Sequence, residues 1–247
     1  MSVTYIAVGG DQRMWIIFIL IAWFIAEILF WITHRKPLTD EEIRKLSKKR
    51  ARIYARKKYQ FPQVAISVNK EFKSALKPSG KLYSIDESLQ TFPSLVAALL
   101  KGKKHEWMVL AIEKEGRVNY LWANKGDDNQ SVGLSCDLSD IVDLCQENQM
   151  YSVLRFHNHP NSNPNYQTGL LASKQDRISA KYCSDIVNKN GMNWFDFVCE
   201  RGNFIMYSRN ISQDFCPQCA NTEEIRKTNG ISEKQNYRLQ RELRWIK

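Results

Sequence analysis

Two of the chain's four histidines stand one residue apart in "VLRFHNHP", residues 153–160, at the end of an apolar run. Side chains at i and i+2 of a strand share a face, so His157 and His159 can aim two imidazoles at one point. Pro160 cannot continue a central ladder, so the strand ends there and its tip meets solvent. Two nitrogen donors on a rigid strand end suit a metal ion. A catalytic zinc takes a third protein ligand and leaves one position for water. Between Pro160 and Gln175 there is no Asp, Glu, His or Cys, and the next candidate is Asp176 in "ASKQD". Asp176 falls in the first turn of a predicted helix that Ser173 opens, and a helix starting close to the histidine strand would present it to the pair. Taken alone, the two histidines read equally as unrelated surface side chains before an Asn-Pro turn.

His-x-His-Pro at a strand end, then Ser-x-x-Asp opening a helix, resembles the signature of the JAB/JAMM (MPN-type) metalloproteases. The "HNHP" form is most similar to the bacterial RadC-like branch. That family carries a glutamate just before an apolar strand, and Glu106 in "HEWMVLAI" stands in that place. The resemblance covers roughly residues 63–208. It implies that His157, His159 and Asp176 bind Zn²⁺, with water in the open position and its pKa brought toward about 7. It further implies that Glu106 takes the water's proton and passes it to the leaving amine, and that Ser173 donates a hydrogen bond to the oxyanion. The implied reaction is hydrolysis of a peptide or isopeptide bond, in a ubiquitin-like protein or another cytoplasmic segment.

The chain departs from the family in one loop. Residues 160–172 are longer than the family's connection, and at the usual spacing the serine and acid positions would fall on Gln167 and Leu170, which cannot do this chemistry. Ser173 and Asp176 are reached by aligning past the insertion. Ser173 also reads as a plain helix N-cap. Glu113 and Glu115 lie at the far end of Glu106's strand, His105 faces away from Glu106, and Asn158 faces away from the histidine pair and fixes the loop.

Elements that must position these side chains can be read from periodicity. Thr39 with Glu42 forms a capping-box pattern for a basic helix over 39–58. A strand is expected at 63–68, a turn at 76–81, and a helical stretch over 86–104 interrupted at Pro93. Hairpins are expected over 106–126, turning at Glu115-Gly116, and over 194–208, turning at Arg201-Gly202. Helices are expected over 138–150 and 173–191, and a buried strand over 151–160. This alternation predicts an α/β (α+β) class with a mixed sheet flanked by helices. The resemblance makes it a JAB/JAMM-like three-layer fold.

The run "MWIIFILIAWFIAEILFWIT", 14–33, is apolar except for Glu27 and is long enough for a transmembrane helix. It is too long for a secretory signal, and no small-residue cleavage site follows. Trp15 and Trp31 lie near its ends, where indole rings favour the interface. Arg13 precedes it beside Asp11, and a dense run of Lys and Arg follows, so the positive-inside bias predicts a single-pass protein with its N-terminus outside and its bulk in the cytoplasm. The resemblance makes that membrane a bacterial inner membrane. Expected segments are thus 1–13, the span 14–33, a basic juxtamembrane helix 34–58 read mainly as a solvated connector, a catalytic domain 59–210 and a polar, basic tail 211–247. Part of the formal charge of +10 sits beside the bilayer, which names lipid as a partner.

The cysteines, at 136, 145, 183, 199, 216 and 219, fall on the side where thiols stay reduced. Cys216 and Cys219 have half of a zinc-site spacing, which Cys183 and Cys199 could complete; both also read as small buried residues. Two other function classes compete with the metallopeptidase. One is a RadC-like nucleic-acid-associated protein using the basic helix, although no basic motif interleaved with aromatics is present. The other is a metal-free interaction module, against which the set Glu106, His157, His159 and Asp176 argues.

Overall fold

The computed structural model of the chain describes residues 11–33, 38–128, 131–134, 136–160 and 169–228. Two compact units result: residues 1–43 with 226–247, and Arg44–Ile225. In the first, α1 runs Asp11–Thr33 and carries the apolar sequence run. Its described side chains, Trp15 to Leu29, are exposed. Over the described residues no helix is long and apolar enough to cross a membrane. The helix α2, Asp40–Lys58, begins in this unit. Thr39 and Glu42 form its capping box, with Thr39 N–H donating to Glu42 at 2.7 Å and Glu42 N–H to Thr39 Oγ1 at 3.3 Å.

The second unit is built on a six-stranded sheet in the order β1-β3-β2-β4-β5-β6. Its strands are β1 Ser79–Ser88, β2 Trp107–Lys114, β3 Arg117–Lys125, β4 Ser152–Asn158, β5 Asn193–Glu200 and β6 Asn203–Asn210, and the short helix α3, Lys70–Ala75, precedes β1. All pairings are antiparallel except β4 with β5. A parallel pair needs a crossover, and α6, Lys174–Lys189, supplies it. The hairpins β2-β3 and β5-β6 turn on Glu115-Gly116 and Arg201-Gly202, with φ values of 54° and 88°, and 53° and 87°. A two-residue turn of this kind needs φ > 0 at both positions, hence the glycine at the second.

The two faces of the sheet bury different cores. On one, Val109, Ala111, Leu154, Phe156, Phe195 and Phe197 pack with Ala51 and Ala55 of α2, with Tyr59 just after it, and with α4, Phe92–Leu100. On the other, Met108, Leu110, Ile112, Val153 and Trp194 pack with α5, Leu138–Glu147, and with α6. Successive strand residues divide between the two, as a period of two requires. The mixed sheet between helical layers therefore agrees with the expected α/β class.

Several local expectations are corrected. Residues 63–68 form no strand; Val64 N–H donates to Ser94 Oγ at 2.9 Å instead of joining the sheet. The turn expected at 76–81 runs into β1, an edge strand with two register shifts that extends to Ser88, where a helical stretch had been expected to begin. Pro93 stands in the first turn of α4, where its missing N–H costs nothing, so it starts the helix rather than interrupting it. The basic helix is not a solvated connector, since its Ala51 and Ala55 are in the core. The tail also contributes, through Phe215 and Ala220. The compact unit is accordingly wider than the expected 59–210 at both ends. The end of the expected polar, basic tail, 229–247, lies outside the described residues, as do the N-terminal residues 1–10.

Candidate metal centre

The register of β2 on β4 explains how residues distant in sequence meet. Met108 pairs with His157. Continuing that antiparallel register two residues outward sets Glu106 against His159, on the face that also carries Met108 and His157. On the other edge of β2, the ladder with β3 extends to Glu106, with Gly126 N–H donating to Glu106 O at 2.8 Å and Glu106 N–H to Asp128 O at 3.0 Å. Glu106 and His157 are buried, and His159 is partly exposed at the strand tip.

The third element is the start of α6. Ser173 is its N-cap, accepting from Asp176 N–H at 3.1 Å, while Ser173 N–H donates to Asp176 Oδ2 at 2.7 Å. This capping box turns the Asp176 carboxylate toward the strand. Asp176 Oδ1 lies 3.3 Å from His157 Nε2, and Oδ2 lies 3.5 Å from His159 Nε2. The two Nε2 atoms are 3.1 Å apart. Tetrahedral zinc with bonds of about 2.0–2.1 Å needs donors about 3.3–3.4 Å apart, and these separations fit it. Glu106, His157 and His159 likewise bring one donor atom each within 4.8 Å of one another, the one such gathering of His, Cys, Asp or Glu among the described residues. Asp176 reaches the same rings but offers a different oxygen to each, so as a ligand it would commit one oxygen to the ion.

Protonation favours the ligand state at His157 and Asp176 and opposes it at His159. The carbonyl of Gly169 lies 3.0 Å from His159 Nδ1. In the neutral ring, an Nδ1–H donated there leaves the Nε2 lone pair facing His157. Burial pushes the His157 pKa down, against the pull of Asp176, and keeps this ring neutral. The hydrogen bond to Asp176 raises His159, against partial burial. Burial of Asp176 opposes its ionisation, but both imidazoles and Ser173 hold its carboxyl well below the usual carboxylate range. Desolvation raises Glu106 to about 7, opposed by His159 and assisted by Asp176 and Asp128. A carboxyl poised near neutrality is what proton transfer at physiological pH uses.

Two further side chains hold the elements in place. Asn158 was expected to fix the loop after the histidines; it fixes the strand next door. Its Oδ1 accepts from Trp107 N–H at 2.8 Å and its Nδ2 donates to His105 O at 3.2 Å, so it grips the chain on both sides of Glu106. Arg155 shares the face of His157. It pairs with Asp196 at 2.6 Å and donates to Ser179 Oγ of α6 at 2.6 Å. Ser179 lies three residues after Asp176, so Arg155 pins α6 to β4 close to where Asp176 meets His157. Sequence reading did not single out Arg155; a lone arginine inside an apolar strand was the available signal. The ring of Tyr207 stands edge-on to His157, 5.9 Å between centroids.

The other candidates fall elsewhere. Glu113 is buried at the far end of β2, accepting from Tyr59 O–H at 3.0 Å and Gly116 N–H at 2.6 Å. His105 is not among the gathered donors, and its Nδ1 is buried without a hydrogen-bond partner among the described residues. Ser173 is exposed, and its hydroxyl oxygen serves the cap while its O–H remains available to donate. Gln167 lies outside the described residues; Leu170 does not ligate. The four-cysteine site does not form, because Cys183 and Cys199 belong to opposite cores of the sheet while Cys216 and Cys219 are exposed. No family model matches this chain, and neither the curated proteins nor the solved structures compared with it give a match.

Proposed function

We propose that the chain is a membrane-anchored, zinc-dependent hydrolase of peptide or isopeptide bonds, resembling the JAB/JAMM metalloproteases of the RadC-like branch. The observation that carries this reading is the triangle formed by His157 Nε2, His159 Nε2 and the Asp176 carboxylate, with edges of 3.1, 3.3 and 3.5 Å, beside a buried Glu106. The sheet supplies Glu106, His157 and His159 from adjacent strands, and α6 supplies Asp176, so three rigid elements define one point. Held by His157, His159 and Asp176, Zn²⁺ would supply a Lewis acid and acidify a water. Glu106 would take up a proton there and give it to the leaving amine. Ser173, on the exposed lip, donates its O–H to the oxygen that gains charge. The substrate is a protein segment extended enough to enter the strand tip, such as the tail of a ubiquitin-like protein.

The anchor is α1. The run 14–33 would span about 30 Å as a helix, and the exposed apolar side chains from Trp15 to Leu29 support that placement. The charge asymmetry across it supports an outside N-terminus and a catalytic unit in the cytoplasm of a bacterial cell.

Metal content of the purified full-length protein tests the reading. One zinc per chain is expected, reduced to none in His157→Ala. Cleavage of a ubiquitin-like protein extended at its C-terminus is expected from the wild type and not from Glu106→Gln, which keeps the shape of the site. Absence of stoichiometric metal after reconstitution with zinc overturns the assignment.

A further inference from the structure

A groove of about 530 Å³ lies between α2 and the segment that follows β6. Lys48, Arg52 and Arg56 line it from α2 and Arg209 from β6, and no carboxylate among the described residues does. The first three recur every fourth residue, which stacks them along one helix face. Arg209 is tethered, its Nη2 donating to the Ala55 carbonyl at 3.3 Å. The floor is apolar, from Ala55 and Phe215, both buried in the core. Lysine and arginine in such numbers repel one another unless a multiply charged anion sits among them, and the planar guanidinium forks match phosphate oxygens. The volume is that of a small-molecule site.

We propose that this groove binds a phosphate-bearing anion, with the phosphate held by Lys48, Arg52, Arg56 and Arg209 and any apolar part of the ligand resting on the floor. The proposal is independent of the metal centre. Two sources share this chemistry: an anionic phospholipid headgroup and a soluble phosphate ester. A lipid source rests on the membrane placement of α1, and a soluble source does not.

Native mass spectrometry of the full-length protein in detergent tests it with three probes: dioleoylphosphatidylglycerol, dioleoylphosphatidylcholine and inorganic pyrophosphate. Two charge-matched variants accompany it. Arg52→Gln with Arg56→Gln removes cations from the groove, and Lys49→Gln with Lys57→Gln removes exposed cations of the same helix that do not line it. Binding of phosphatidylglycerol over phosphatidylcholine is expected, weakened roughly tenfold or more by the groove variant, since each cation beside anionic lipid contributes about a factor of five. The control variant is expected to stay within about twofold of wild type. Binding of pyrophosphate without that lipid preference supports the same groove with a soluble ligand. Equal weakening by both variants, or binding of neither phosphatidylglycerol nor pyrophosphate, overturns the proposal. Matching thermal melts of the two variants show that the fold is unaffected.

Discussion

Asn158 holds Trp107: the side-chain oxygen of one accepts the backbone N–H of the other at 2.8 Å, across the β2-β4 boundary. The residue between the two histidines is thereby tied to the residue after Glu106. One side chain fixes the distance between the proposed base and the proposed ligands, without touching either.

Replacing Asn158 by alanine should therefore separate metal binding from catalysis. The buried Trp107 N–H loses its partner, which costs about 1–3 kcal/mol. Zinc stoichiometry should stay at that of the wild type, because His157, His159 and Asp176 are unchanged. The rate should fall by up to about a hundredfold, the cost of a small misplacement of a reacting group. Metal analysis beside turnover of any cleaved substrate decides it; loss of zinc in this variant would mean that Asn158 positions the ligands instead.

Zinc should also stabilise the fold. Chelation is expected to lower the melting temperature of the wild type, by the equivalent of about 4 kcal/mol when free zinc had stood a thousandfold above its dissociation constant. Asp176→Asn preserves the cap at Ser173 in outline but removes the anionic donor, so its melting temperature should respond little to added zinc. A zinc response equal to that of the wild type would exclude Asp176 as a ligand.

Much of this arrangement was legible because it depends on period. Alternation along 106–112 and 152–158 told which residues share a face, and Glu115-Gly116 and Arg201-Gly202 marked their turns through the positive φ that glycine accepts. Ser173 and Asp176 were legible as a cap. What the residues alone left open was the convergence, since the β2-β4 register that sets Glu106 against His159 is a long-range pairing. β1 was missed because its polar sequence, "SGKLYSIDES", suits an edge strand and mimics a loop. "QVAISV" alternates like a strand, but β1 occupies the open edge of β3, and Gln63 bonds to the Phe204 carbonyl instead. The core role of α2 was obscured by its many cations, since Ala51 and Ala55 carry little hydropathy individually.

Stability should depend on pH through Glu113. Burial raises its pKa, against hydrogen bonds from Gly116, Tyr59 and Ser152 and the charge of Lys58. A folded-state pKa above the unfolded one contributes stability that is fully present below the unfolded value and is lost as pH rises through the folded value. Glu113→Gln mimics the protonated form and keeps the link to Tyr59. The stability of the wild type should fall relative to this variant as pH is raised above the ordinary glutamate range, by at most about 1.4 kcal/mol per pH unit, and its melting temperature with it. Parallel curves for the two proteins would show that Glu113 is ionised in the fold throughout.

Membrane placement of α1 predicts that the full chain stays in the pellet after alkaline carbonate extraction, and that a protease added from the cytoplasmic side alone removes the sheet unit. Release into the supernatant by carbonate or high salt would reduce α1 to a peripheral helix held by charge.

The buried pair of Arg155 and Asp196 predicts a split between stability and metal binding. Both side chains are almost fully enclosed. Asp196 also accepts the Trp194 indole N–H at 2.7 Å. Asp196→Ala strands a buried guanidinium and should cost about 3–5 kcal/mol. Combining Arg155→Met with Asp196→Asn removes both charges, and the amide oxygen can still serve the indole, so most of that loss should be recovered. The bond from Arg155 to Ser179 is nevertheless gone, and with it the pin that holds α6 beside β4. Zinc affinity in the double variant should stay about 10–100-fold below wild type, as for other outer partners of metal ligands. Recovery of both melting temperature and zinc affinity would show that the capping box alone places Asp176, with Arg155 serving only the core.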